Sequence, residues 1–154
     1  MLKLSRLADY ATLLMCRMTR EPEAALSAAQ LAQALGLPLP TVAKLLKRLT
    51  RAQLLSSERG GNGGYRLARS AASISLVDVI SAVDGAPALT QCVNTPGSCA
   101  IELNCETRGH WAAINHAVSS VLSGVSLAQL GSARAIVIKP PQRIDQRKEG
   151  ASRR

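Results

Sequence analysis

Three cysteines stand within 14 residues in the segment CVNTPGSCAIELNC, Cys92, Cys99 and Cys105, with the spacing C-x6-C-x5-C. Thiolates are soft ligands that bind iron-sulfur centres, and the intervening Pro96 and Gly97 allow one segment to fold back around a cluster. Zinc is the first competitor, but structural zinc sites usually contain a tight cysteine knuckle and this spacing has none. The fourth cysteine, Cys16, lies beside Met15 on an apolar helical face and reads as a small core residue. A nucleophilic cysteine would need an identifiable His and Asp arrangement, and there is none, so an enzyme is not expected. A cluster needs a fourth ligand, for which the sequence offers Asp9, Glu102, Glu106, His110 and His116. His110 is near in sequence but beside Trp111 can equally be a packing residue. Asp9 is distant, yet the first helix of a partner subunit could supply it.

A second group of residues carries charge. The formal net charge is +9, and seven Lys or Arg against Glu58 give residues 41–69 a net of +6. Residues 132–154 add +5, and the remainder sums to −2. Two basic regions on a near-neutral body suit a polyanion, because each phosphate contacted releases condensed counterions. An exposed basic helix face alone is common and would decide little; its surroundings decide more.

Those surroundings are two short helices and a hairpin. SAAQLAQALGL has the capping-box spacing of Ser27 and Gln30, and Gly36 is a natural stop. After a tight turn, LPLPTVAKLLKRLTRAQLL places Pro40 at a first helical position, with Val42, Leu45, Leu46 and Leu49 on one face. Thr41, Lys44, Lys47, Arg48 and Arg51 occupy the other. This is the pattern of a helix-turn-helix, whose second helix enters the major groove. Residues near its start, Thr41 and Lys44, are the expected base readers, and Lys47, Arg48 and Arg51 the expected phosphate contacts. LLSSERGGNGGYRLAR then reads as two strands around a glycine-rich tip, a wing over about 54–68. There Arg59 could enter the minor groove, Gly60 and Gly61 would let backbone N–H groups approach the sugar-phosphate chain, and Tyr65 completes the expected DNA-binding set. No phosphate-binding G-x-x-x-x-G-K-[ST] pattern is present.

The flanking elements follow from periodicity. Leu4 to Met18 carries the rhythm of an amphipathic helix closed by Pro22. ISLVDVISAVDG repeats the capping spacing with Ser75 and Asp78 before Gly85. Residues 87–108 lack periodicity and read as a loop organised by something other than apolar packing. A helix resumes at Trp111, with Ile114, Ala117, Val118, Val121 and Leu122 on its stripe; Gly124 breaks it, and SLAQL forms a brief capped turn.

Only Tyr10, Tyr65 and Trp111 are aromatic among 154 residues, so the core must be aliphatic, which favours packed helices. The opening MLKLSRLADY lacks a signal-peptide pattern, and no stretch approaches the roughly 20 apolar residues of a membrane span. A cytoplasmic location is expected, where cysteines point to metal or redox chemistry before disulfides.

From residue 1 to about 130, in order, KLSRLADYATLLM, SAAQLAQALGLPLPTVAKLLKRLTRAQLL, SERGGNGGYRLAR, SLVDVISAVDG and the cysteine loop resemble the Rrf family of winged helix-turn-helix iron-sulfur regulators, of the IscR and NsrR type. CETRGHWAAINHAV following SLVDVISAVDGAPALTQC is most similar to the branch that regulates SUF iron-sulfur assembly operons. The resemblance implies a mostly α fold with a small β-wing. It divides the chain into a winged helix-turn-helix domain (1–85), a cluster-binding loop (86–109), a long dimerisation helix (110–131) and a basic, disordered tail (132–154). It implies a homodimer on double-stranded DNA, with no membrane or small-molecule substrate as partner. Cys92, Cys99 and Cys105 match the cluster cysteines, with one extra residue between the first two. The IscR branch has a histidine three positions after the third cysteine, where this chain has Arg108. The NsrR branch uses an acidic residue of the first helix, which Asp9 matches. Asp9 is therefore favoured over His110, and 2Fe-2S and 4Fe-4S both stay open. The function implied is cluster-controlled DNA binding, as a repressor of SUF-type genes, in which ordering or release of residues 92–110 shifts the wing and recognition helix. A zinc- or thiol-redox-dependent winged-helix regulator is the alternative.

Overall fold

Helix α1, Arg6–Met18, starts where the Ser5 hydroxyl accepts the Ala8 N–H, and its apolar stripe buries Ala8, Ala11, Leu14, Met15 and Met18. The structure, a computed structural model, describes residues 3–58, 60 and 63–132. Arg59, Gly61 and the tail from 133 onward, all singled out above, lie outside the described residues.

Helix α2, Ala28–Leu35, has the full capping box of Ser27 and Gln30 and ends at Gly36, whose φ of 63° suits a residue without a Cβ. Helix α3, Leu39–Arg51, follows at once and buries Val42, Leu45, Leu46 and Leu49 against α2 and α4. Leu39 rather than Pro40 is its first residue, so the proline sits one place further in than expected, still where no N–H partner is lost.

Strands β1, Leu55–Glu58, and β2, Gly64–Leu67, pair antiparallel with Leu55 opposite Leu67 and Glu58 opposite Gly64. The wing is anchored by a contact that periodicity did not signal: Leu26 and Tyr65 exchange two backbone hydrogen bonds of 3.0 and 2.9 Å. Gly64 makes that approach possible, because a Cβ there would lie 2.9 Å from the Leu26 carbonyl carbon and oxygen.

Helix α4, Leu76–Asp84, opens on the capping box of Ser75 and Asp78 and packs on α1. The Ser5 hydroxyl also donates to Asp84 at 2.9 Å, tying the two helices at that end. The aperiodic segment contains a single-turn helix α5, Gln91–Asn94, and a 3-10 turn, Glu102–Asn104. Helix α6, Arg108–Ser123, begins nearly a turn before Trp111 and contains no buried residue.

The span 110–131 is not one helix. After Gly124 the chain returns to the N-terminal body: Leu76 N–H donates to Val125 and Leu127 N–H to Ile74, at 2.8 and 2.7 Å. Helix α7, Leu127–Gly131, then inserts Leu127 into the core and rests on α1. The fold is thus mostly α with a two-stranded wing, around an aliphatic core shared by α1, α2, α3, α4 and α7. No helix among the described residues is long and apolar enough to cross a membrane.

Candidate functional site

Two sets of side chains matter, one on α3 and the wing, the other on the loop between α4 and α6. On α3 the buried leucine stripe turns the opposite face outward, leaving Lys44, Lys47 and Arg51 exposed and Thr41 half-exposed at its start. A shallow groove between α3 and the wing is lined by Ala43, Lys47, Thr50, Arg51, Ser57 and Tyr65. Two cations and a phenol are therefore brought together where helix meets strand. Gly60 adopts a φ of 123°, a conformation that favours a residue without a Cβ.

Arg48 differs from its neighbours. It is half-buried, and its guanidinium donates to the Val83 carbonyl at 2.7 Å. Val83 lies in the last turn of α4, where carbonyls lack intrahelical partners, so Arg48 acts as a cap that ties α3 to α4. The sequence reading places it among the phosphate contacts. Its spacing on the basic face gave no sign of this internal partner.

The cysteine loop holds three free, partly exposed thiols. Cys92 lies in α5, with Sγ 3.4 Å from the Thr90 hydroxyl; Cys105 follows the 3-10 turn, with Sγ 3.4 Å from that of Thr107. The Thr107 hydrogen bond, with a smaller contribution from the Arg108 charge, holds the Cys105 thiol below the ordinary cysteine range. Burial pushes the Cys16 thiol the other way, and that residue packs against the core as expected.

Glu102 is the one buried polar or charged residue among those described, 8% exposed. One carboxylate oxygen accepts the Gly97 N–H at 2.6 Å and the other pairs with Arg108 at 2.9 Å. A candidate ligand in the sequence is thus engaged with its own loop, and Arg108 is its counter-ion. The pairing could have been suspected only from an acidic residue a short loop away from an arginine at a helix start. Asp9 is exposed in the first turn of α1; Glu106, His110 and His116 are exposed on or beside α6. Among the described residues, no three His, Cys, Asp or Glu side chains are gathered into a metal-binding group. The donor set nevertheless fits an iron-sulfur centre in its chemistry: three free thiols on one segment, none shut in the core.

Along α6, Trp111 and Ile114 remain 40% and 46% exposed, with Ala117, Val118, Val121 and Leu122 lining a shallow apolar groove further on. In the cysteine loop Ile101 and Leu103 are also exposed.

A recognition helix following a tight turn, with an antiparallel wing and a basic outer face, defines a winged helix-turn-helix regulator fold. Comparison with known proteins makes this particular: residues 4–133 match the model of the Rrf2 family, described as iron-dependent transcriptional regulators, and the chain belongs to that family. It is 32% identical over 118 residues to the HTH-type transcriptional regulator IscR of Vibrio vulnificus, covering 76% of this chain and 70% of that one. With IscR of Xenorhabdus nematophila the identity is 35% over 102 residues, covering 66% of this chain and 62% of the relative. Among solved structures, CymR, the global cysteine regulator of B. subtilis, superposes with a TM-score of 0.69 at 26% identity, over 88% of this chain and all of that one. T. potens IscR gives 0.63 at 26% identity, over 84% and 85%. The family's description is that of a regulator, not an enzyme.

Proposed function

We propose that this chain is a transcriptional regulator that binds operator DNA as a homodimer and changes its DNA affinity with the state of an iron-sulfur cluster held by Cys92, Cys99 and Cys105. Three free, partly exposed thiols on the one loop joining a winged-helix body to an unburied helix carry this reading. The IscR names of the relatives support it.

On the DNA side, α3 lies in the major groove, with Thr41 and Lys44 at base edges and Lys47 and Arg51 on phosphates. Arg59, Gly60 and Gly61 serve the adjacent minor groove, and Tyr65 lines the phosphate-facing groove. A second copy covers the apolar stripe of α6, since a 16-residue helix with no buried side chain stays incompletely packed alone. Sedimentation as a dimer, weakened by Trp111→Glu, checks that contact. Asp9 of the partner subunit is the favoured fourth ligand and His110 the alternative. A bound cluster would supply a redox- and iron-sensitive crosslink of the loop. The chain's own part is to convert loop order into a position of wing and recognition helix, across the Arg48–Val83 tie. Regulation requires the two states to differ in DNA affinity. The targets in this reading are SUF-type assembly genes, under repression.

CymR shares the fold and is named for cysteine, so a thiol-based or zinc-dependent switch on the same DNA-binding body is the second reading. Anaerobic purification with iron and sulfide analysis separates the two. The cluster reading expects a coloured protein that loses its chromophore with Ala at Cys92, Cys99 or Cys105 and keeps it in Cys16→Ala. It also expects Asp9→Ala to make the chromophore more labile than His110→Ala does. Colourless protein with stoichiometric zinc, or a loop variant with its full iron and sulfide, refutes it.

A further inference from the structure

Glu102 sits midway between Cys99 and Cys105 and is the residue the loop hides best. Its carboxylate spans the loop: the Gly97 N–H binds one oxygen at 2.6 Å, and the Arg108 guanidinium, in the first turn of α6, binds the other at 2.9 Å. With its side chain 7% exposed, Glu102 is sheltered from solvent, whereas Arg108 is 45% exposed. Charge-assisted bonds of this length are the stronger class of hydrogen bond, and shelter lessens their screening by water and salt. Gly97 adopts a φ of 83°, so the turn that presents its N–H to the carboxylate suits a residue without a Cβ.

In the conformer closed by this brace, the three thiols do not form a metal-binding group among the described residues. Gathering Cys92, Cys99 and Cys105 onto one centre requires the loop to rearrange, and residues 97–108 are its braced part. We infer that the Glu102 carboxylate, bridging Gly97 and Arg108, is a latch that holds the cysteine loop in its cluster-free conformation and competes with cluster binding. The inference rests on the cluster reading of the preceding section and adds a named competitor to it. The latch gives the unloaded loop an ordered structure of its own, so loss of the cluster exchanges one ordered arrangement for another.

Two measurements on the full chain test this. Hydrogen exchange of the apo-protein should show residues 97–108 opening faster in Glu102→Gln and Arg108→Gln than in wild type. The expected acceleration is about tenfold to a hundredfold, the range for loss of one charge-assisted hydrogen bond. Arg108→Lys should recover part of the protection. After anaerobic loading with ferrous iron and sulfide, both Gln variants should lose iron to a chelator more slowly than wild type, because the competing conformer is weakened. A Gln variant that sheds iron faster overturns the latch and makes Glu102 a positioning residue of the loaded loop. Wild-type exchange rates in both variants overturn the brace. A wild type that takes up no iron and sulfide removes the cluster reading and the competition with it. A wild type that loads while the variants exchange and retain iron as it does removes the latch alone.

Discussion

Replacing Arg48 with alanine removes a guanidinium that is half-buried and bonded at 2.7 Å to the Val83 carbonyl. A hydrogen bond from a charged donor contributes roughly 1.5–3 kcal/mol. A cation at a helix C-terminus adds roughly 0.3–1 kcal/mol, while water entering the vacated space satisfies the carbonyl in part. The expected net loss is about 2 kcal/mol, or roughly 4–8 °C in Tm for a domain of this size. Lys44→Ala, on the exposed face of the same helix, should stay within about 0.5 kcal/mol of wild type. Urea denaturation of the two variants, with m compared to confirm an unchanged unfolding reaction, measures the difference. DNA binding across a salt series supplies the second readout. A residue that ties α3 to α4 lowers affinity without changing the salt slope, whereas a phosphate contact lowers the slope by about 0.9. An Arg48→Ala protein as stable as Lys44→Ala, with a slope reduced by that amount, would refute the capping role and restore the phosphate contact.

Lys47→Ala should weaken binding to all duplexes and lower the salt slope by about 0.9, whereas Lys44→Ala should relax sequence preference, each read by titration of operator and scrambled duplexes. Gly64→Ala places a Cβ 2.9 Å from the Leu26 backbone and should cost about 1–3 kcal/mol of stability, with faster exchange of the Leu26 and Tyr65 amides; an unchanged urea midpoint would show that the wing gives way freely. The Cys105 thiol is lowered and the Cys16 thiol raised, so Cys105 holds more thiolate at any pH below both midpoints. Iodoacetamide should therefore label Cys105 before Cys16, with its rate rising at lower pH, and equal profiles of the two would contradict the assignment.

Much of this architecture is local and so is written in the sequence. Ser27 with Gln30 and Ser75 with Asp78 form their capping boxes within one turn, and Gly36 ends α2 by its own backbone freedom. The leucine stripe of α3 fixes which face turns inward, and the outward position of Lys44, Lys47 and Arg51 follows from a period of 3.6 residues. The cysteine spacing likewise announces a soft-ligand loop without reference to any distant element.

What the tertiary structure decided depends on partners far apart in the chain. Arg48 carries the same charge as Lys47, yet Val83, 35 residues away, binds its guanidinium and ties it to the body. Gly64 looks like any wing glycine until Leu26 approaches it. SLAQL reads as a brief capped turn, as it proves to be, but only the fold shows that Leu127 fills the core beneath α1 as the chain doubles back after Gly124. Glu102, one of several acidic candidates in the sequence, is held in this conformer by Arg108 and the Gly97 amide. Capping and amphipathic patterning depend on neighbours within a turn or two, which a linear sequence displays. A side chain's choice between solvent, ligand and internal partner depends on which surfaces the whole fold brings within hydrogen-bond reach.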